Sequence, residues 1–173
     1  MEKRNNSLHR LGTLALFIIA CESAGILGSL FTIQSIPTWY ATLIKPPFAP
    51  PNWLFAPVWT VLYALMGIAA FLIWEKKTAS RAMPKSAKLN MVSAALNMFG
   101  IQLILNALWS VVFFGLRSPL FGLFIIFLML FTIAITMWRF YFIDKRAFWL
   151  MVPYLLWVGF ATLLNFYIFA LNP

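Results

Sequence analysis

Five long apolar stretches separated by short polar breaks set the pattern of this chain, at about 11–33, 55–74, 91–114, 120–138 and 148–171. Each is close to or above the ~20 mostly apolar residues a helix needs to cross a bilayer. The breaks carry turn and charge signals: Pro37 and the proline stretch after it, "EKKTASRAMPKSAK", "GLRSP" and "DKRA". The third stretch is the most interrupted, by Asn97, Gln102 and Asn106. The pattern predicts an all-α membrane protein. Its five transmembrane helices form one bundle with an ordered first extramembrane loop, a single domain over 1–173.

Within the spans, small and polar positions mark faces. In the first, Ala20, Ala24 and Gly28 recur four apart, with Gly25 and Ser29 beside them. Small residues let helix backbones approach in lipid, so this stripe is expected to pack. The second span aligns Trp59, Tyr63, Met66 and Ala70. The third aligns Gln102, Asn106, Ser110 and Phe113, with Trp109 adjoining, and the fifth aligns Tyr154, Trp157, Ala161, Leu164 and Asn165. Polar groups facing hydrocarbon are costly, so these faces should turn inward. The fourth span is nearly all Leu, Ile, Phe and Met, with Thr132 and Thr136, and reads as the lipid-facing member.

At 1.5 Å per residue, Tyr63, Asn106 and Ala161 lie about 12–15 Å in from the same end of the bundle. They would line one aromatic cavity there. The stretch "WYATLIKPPFAPPNWLFAPVWTVLY", Trp39 to Tyr63, holds five of the ten prolines and three of the eight tryptophans. Proline fixes the backbone and needs no amide partner. With Trp39, Phe48 and Trp53 as an apolar underside, this connection reads as a stiff lid over the cavity. The plainer alternative makes Trp39, Tyr40 and Trp53 interfacial belt residues. For Asn106 the alternative to ligand contact is a helix–helix hydrogen bond.

Composition excludes a soluble domain: 63% of residues are hydrophobic and 10% charged, against about half and a quarter in soluble folds. The net charge of +9 needs no nucleic acid to explain it. Eleven of the thirteen Lys and Arg fall in the N-terminal segment and the second and fourth connections, and only Lys45 and Arg117 on the opposite side. The positive-inside rule predicts a cytoplasmic N-terminus and an outer C-terminus. A bacterial cytoplasmic membrane suits this bias, and an organellar membrane is the alternative. Cys21, His9 and four acids leave no metal site, no resident cofactor and no nucleophile–base pair. Glu22 sits mid-span, where a charge costs about 3 kcal/mol on insertion scales. It is expected to be protonated or hydrogen-bonded; proton-coupled export using Glu22 is the functional alternative.

Three stretches carry a resemblance: "WYATLIKPPFAPPNWLFAPVWTVLYALMG", "LILNALWSVVFFG" and "PYLLWVGFATLLNFYIFALN". In sequence and order they resemble the TspO/MBR family, the translocator protein or peripheral-type benzodiazepine receptor family. The resemblance implies a five-helix bundle, often a homodimer. It also implies binding of porphyrins such as protoporphyrin IX, in their sensing, buffering or transport. Sterols and benzodiazepine-like ligands are further expectations. By motif, the ligand-binding set would be Trp39 and Trp53 from the lid, Trp59 and Tyr63, Asn106 and Trp109, and Trp157, Ala161 and Leu164. Phe113 joins it from the face of the third span. No catalytic residue is implied unless the protein degrades porphyrin by light- and oxygen-dependent chemistry, which would use Trp59 and Trp157. The sterol motif of animal members does not extend here, since Tyr167 is followed by "IFALNP" with no basic residue; Arg146, Phe148 and Leu150 fit only its reversed form. Glycines four apart, proposed to pack a dimer in some members, are Asn97 and Ile101 here.

Overall fold

A helix satisfies its own backbone hydrogen bonds, which lipid cannot do for it, so each apolar run becomes one long helix. The computed structural model describes residues 2–76 and 85–172. The helices are α1 (Glu2–Ser35), a short α2 (Trp39–Thr42), α3 (Phe55–Glu75), α4 (Lys85–Ser110), α5 (Pro119–Ile143) and α6 (Lys145–Leu171). A 3₁₀ turn, Asn52–Leu54, leads into α3, and α4 runs on into a π-helical turn, Val111–Gly115. All but α2 are long and apolar enough to span a membrane, and each expected span lies inside one of them. The chain is a multi-pass membrane protein.

The five long helices close a ring in the order α1, α3, α6, α5, α4 and back to α1. The tightest seam joins α1 to α3. A Cβ at Gly67 would stand 2.6 Å from the Ile18 Cα, and one at Gly25 would collide with the Tyr63 ring. The packing stripe of α1 is therefore Cys21, Gly25 and Gly28, while Ala20 is exposed. This corrects the Ala20–Ala24–Gly28 expectation. A strict four-residue step drifts around a helix of 3.6 residues per turn, whereas steps of four and three stay on one face.

At the end where α3 stops and α6 begins, the core is dry. Met66, Ile73, Ile133, Met137, Phe140 and Met151 are at most 4% exposed. Charge pairs tie that end together. Arg10 Nη2 donates to Glu75 Oε2 at 3.2 Å. Asp144, the single residue between α5 and α6, accepts from the Arg146 amide at 2.9 Å and pairs with Arg146 at 2.8 Å and Lys76 at 3.1 Å. The Arg146 guanidinium, with help from its amide and from Lys76, holds the Asp144 carboxyl well below the usual carboxylate range despite its burial.

α5 turns Phe121, Phe124, Phe127, Phe131 and Trp138 outward. It is not the most lipid-exposed helix, however. Only 11% of the core window of α1 is buried, against 33% for α5. The reason is that α1 flanks the open side of a cavity, so its outward residues have no neighbour. Gln102 and Asn106 turn inward as expected, but Asn97 is exposed on the outer side of α4.

At the opposite end lies the connection from Ile36 to Leu54. It is folded down onto the π-helical turn and α6. Tyr40 packs at a tilt against Phe114 at 5.7 Å, and Phe48 meets Tyr167 at 5.3 Å. The Ile44 amide donates to Asn172 Oδ1 and its carbonyl accepts from Asn172 Nδ2, both at 2.9 Å. Ser35 Oγ donates to the Phe114 carbonyl at 2.7 Å, fixing the end of α1 to the same turn.

Candidate functional site

Beneath this connection, α1, α3, α4 and α6 part around a cavity of about 420 Å³. The volume falls in the 300–1,000 Å³ range of small-molecule sites. α5 contributes nothing to its lining. α1 and α3 touch closely at Gly67 and Gly25; nearer the connection, α1 lines the cavity with Ile26, Ser29 and Ile33 and α3 with Phe55, Ala56 and Trp59.

The walls are aromatic. Trp59 stacks on Tyr63 with ring centres 5.4 Å apart, and Trp157 stands edge-on to Phe55 at 6.1 Å. Trp109 stacks on Phe113 at 5.1 Å, held in place by its Nε1, which donates to Asn165 Oδ1 at 3.1 Å. Asn165 Nδ2 in turn donates to the Pro119 carbonyl at 2.8 Å. Ring faces and edges are thus presented from three helices, an arrangement suited to a flat aromatic guest.

The floor is polar and linked by a chain of hydrogen bonds that ends at Gln102, whose Nε2 has no partner among the described residues. Tyr63 Oη donates to Asn106 Oδ1, Asn106 Nδ2 donates to Tyr154 Oη at 3.1 Å, and Tyr154 Oη donates to Gln102 Oε1 at 2.7 Å. The chain links α3, α4 and α6 at the level where the dry core begins. Glu22 of α1 also lines the cavity.

The mouth is lateral. Ile26 and Ile33 of α1 line the cavity and are 62% and 67% exposed on the bundle surface. Ala56 and Thr60 of α3 are likewise both lining and exposed. All four lie in spanning helices, so the gap faces lipid, reaching the surface of the bundle at Asn52. Ile36, Tyr40 and Phe55 roof it. The Ile44–Asn172 latch and the aromatic contacts hold the connection against this end of the bundle.

Of the residues expected from sequence, Trp59, Tyr63, Asn106, Trp109, Trp157 and Ala161 line this cavity. Phe113 and Leu164 line a smaller adjoining hollow shared with Tyr40, Phe55, Trp109 and Ala161. Trp39 packs behind it on Phe113 at 5.5 Å. Trp53 is 71% exposed and belongs to neither hollow, so the underside of the roof is built from Tyr40 and Phe55 instead. Sequence reasoning missed the contribution of α1: Gly25, Gly28, Ser29 and Thr32 all line the cavity. The signal was there, since Glu22, Gly25, Ser29, Thr32 and Ile36 follow steps of three and four along one face.

Comparison with known proteins agrees in extent. The TspO/MBR family model matches residues 17–171. The Tryptophan-rich protein TspO of Chlorobaculum tepidum is 45% identical over 161 residues, covering 93% of this chain and 96% of that one. The protein of the same name from Archaeoglobus fulgidus is 42% identical, covering 92% and 96%. The Translocator protein of Bos taurus is 33% identical, covering 87% and 84%.

Proposed function

The chain belongs to the TspO/MBR family, and from that premise we propose that it binds a porphyrin such as protoporphyrin IX in the cavity between α1, α3, α4 and α6. One observation carries the proposal: a hollow of about 420 Å³ walled by Trp59, Tyr63, Trp109 and Trp157 and open to lipid. A flat macrocycle gains from offset stacking and edge contacts on such rings. It also partitions into the bilayer, from which the lateral mouth admits it. Relatives are named as translocator and sensory proteins. For this chain the reading is capture and hand-over or sensing, because the far half of the bundle is packed shut. The basic end is assigned to the cytoplasm by the positive-inside rule, which puts the cavity in the outer leaflet half. Sterol and benzodiazepine-like ligands, and a homodimer, are secondary to this reading.

The test is titration of protoporphyrin IX into the full chain in lipid nanodiscs, read by tryptophan fluorescence. Saturable quenching is expected, weakened tenfold or more by Trp157→Ala, which removes a wall, and by Ala161→Phe, which fills the space. Non-saturable quenching, or variants that bind like the parent, overturns the proposal.

A further inference from the structure

Among the described residues Glu22 is the only acid lining the cavity. It lies one turn before Gly25 on α1, on the same wall as the lateral mouth. Among the described residues it has no hydrogen bond and no ion pair, and most donors around the cavity are committed elsewhere, although the buried Trp157 Nε1 on the α6 wall is itself unpartnered. Tyr63 Oη gives its proton to Asn106, and Asn106 and Tyr154 pass theirs along the floor chain to Gln102. Trp109 Nε1 serves Asn165. Ser29 and Thr60 donate back to the carbonyls of Ile26 and Ala56. Of the cations, Arg10 is engaged by Glu75, Lys76 and Arg146 by Asp144, and Lys45 by the Leu43 carbonyl and the Tyr40 ring. A carboxyl inside a membrane span with no partner is expensive. Here it lines the cavity, beside the stacked rings of Trp59 and Tyr63.

We propose that Glu22 is the ligand-recognising acceptor of this cavity, selecting flat aromatic molecules that carry an N–H or ammonium donor. The inference rests on the cavity being a ligand site. The donor of the guest meets the carboxylate, and its ring system lies against Trp59 and Tyr63, whose faces also attract a cation. A charge-assisted hydrogen bond of this kind corresponds to a preference of about tenfold or more over a neutral bond.

The experiment uses the full chain in zwitterionic nanodiscs and two probes of one shape, 1-pyrenemethylamine and 1-pyrenemethanol, read by tryptophan-to-pyrene energy transfer against empty discs. The parent is expected to bind the amine about tenfold more tightly than the alcohol. In Glu22→Gln that ratio should fall to about one, and Glu22→Asp, which keeps the carboxyl group, should retain a preference. A ratio that survives in Glu22→Gln overturns the role of Glu22 while leaving the cavity reading intact. Failure of both probes to bind saturably to the parent removes the cavity reading, and this inference with it.

Discussion

The floor of the cavity makes a quantitative prediction. Asn106→Leu keeps approximate size and removes two interhelical hydrogen bonds, to Tyr63 and to Tyr154. Measured bonds of this kind within membranes average about 0.6 kcal/mol each, which gives about 1.2 kcal/mol for the pair. Tyr63, only 5% exposed, then keeps a hydroxyl donor with no acceptor, adding about 1–3 kcal/mol. The expected loss is about 2–4 kcal/mol. In a Tyr63→Phe background the stranded donor is gone. Asn106→Leu then removes only the Tyr154 bond, costing about 0.6 kcal/mol. The cycle should therefore show a coupling of about 1.5–3.5 kcal/mol between the two positions. Reversible unfolding in bicelles, followed by far-ultraviolet circular dichroism for all four proteins, measures it. A coupling below about 0.5 kcal/mol would refute the reasoning, because effects at independent sites add to within that margin.

Two further outcomes follow from single contacts. Asn172→Leu removes both bonds to Ile44 and the one to the Ile168 carbonyl; amide exchange over residues 43–51 should quicken about tenfold or more, as about 1.5 kcal/mol of local protection is lost, and an unchanged Ile44 amide would contradict the latch. The folded-state pKa of Asp144 is depressed, so its contribution is present above the unfolded value of about 3.9 and is lost as pH falls through the folded one. Asp144→Asn should accordingly lower the unfolding midpoint at pH 7, with the gap to the parent narrowing below pH of about 4; a gap that stays constant to pH 3 would rule this out.

How far the sequence foretold this structure depended on which physics was local. The five spans were legible because lipid demands about 20 apolar residues per helix and penalises anything else. Gln102, Asn106 and Tyr154 were legible as inward because unpaired polar groups are costly in hydrocarbon. Trp53 was not: its direction is set by the three-residue turn Asn52–Leu54, and composition carries no trace of it. Nor was the π-helical turn at Val111–Gly115, closed by a bond from the Leu116 amide to the Val111 carbonyl at 2.9 Å. The α1 wall was half legible. Its small residues were read as contact, and Gly25 and Gly28 do make contacts, but the polar residues flanking them, Glu22, Ser29 and Thr32, border the space that those contacts leave. Packing and lining share one face there, which a stripe of residue types cannot separate.

The asymmetry of the bundle bears on what binding leads to. A guest filling the cavity occupies about 420 Å³. To pass through to the charged end it would need comparable room among Met66, Ile73, Met137, Phe140 and Met151, all at most 4% exposed. Opening such space in a packed interior costs about 24 cal/mol per Å³, or about 10 kcal/mol for this volume, a population of roughly one in ten million. Leaving by the lateral gap requires no such opening, since Ile26, Ile33, Ala56 and Thr60 already face lipid. The cheaper route returns the guest to the leaflet from which it came. The proposed activity is therefore an equilibrium one, in which occupancy tracks the amount of guest in that leaflet. A partner or a second conformation would have to supply about 10 kcal/mol before this bundle could conduct.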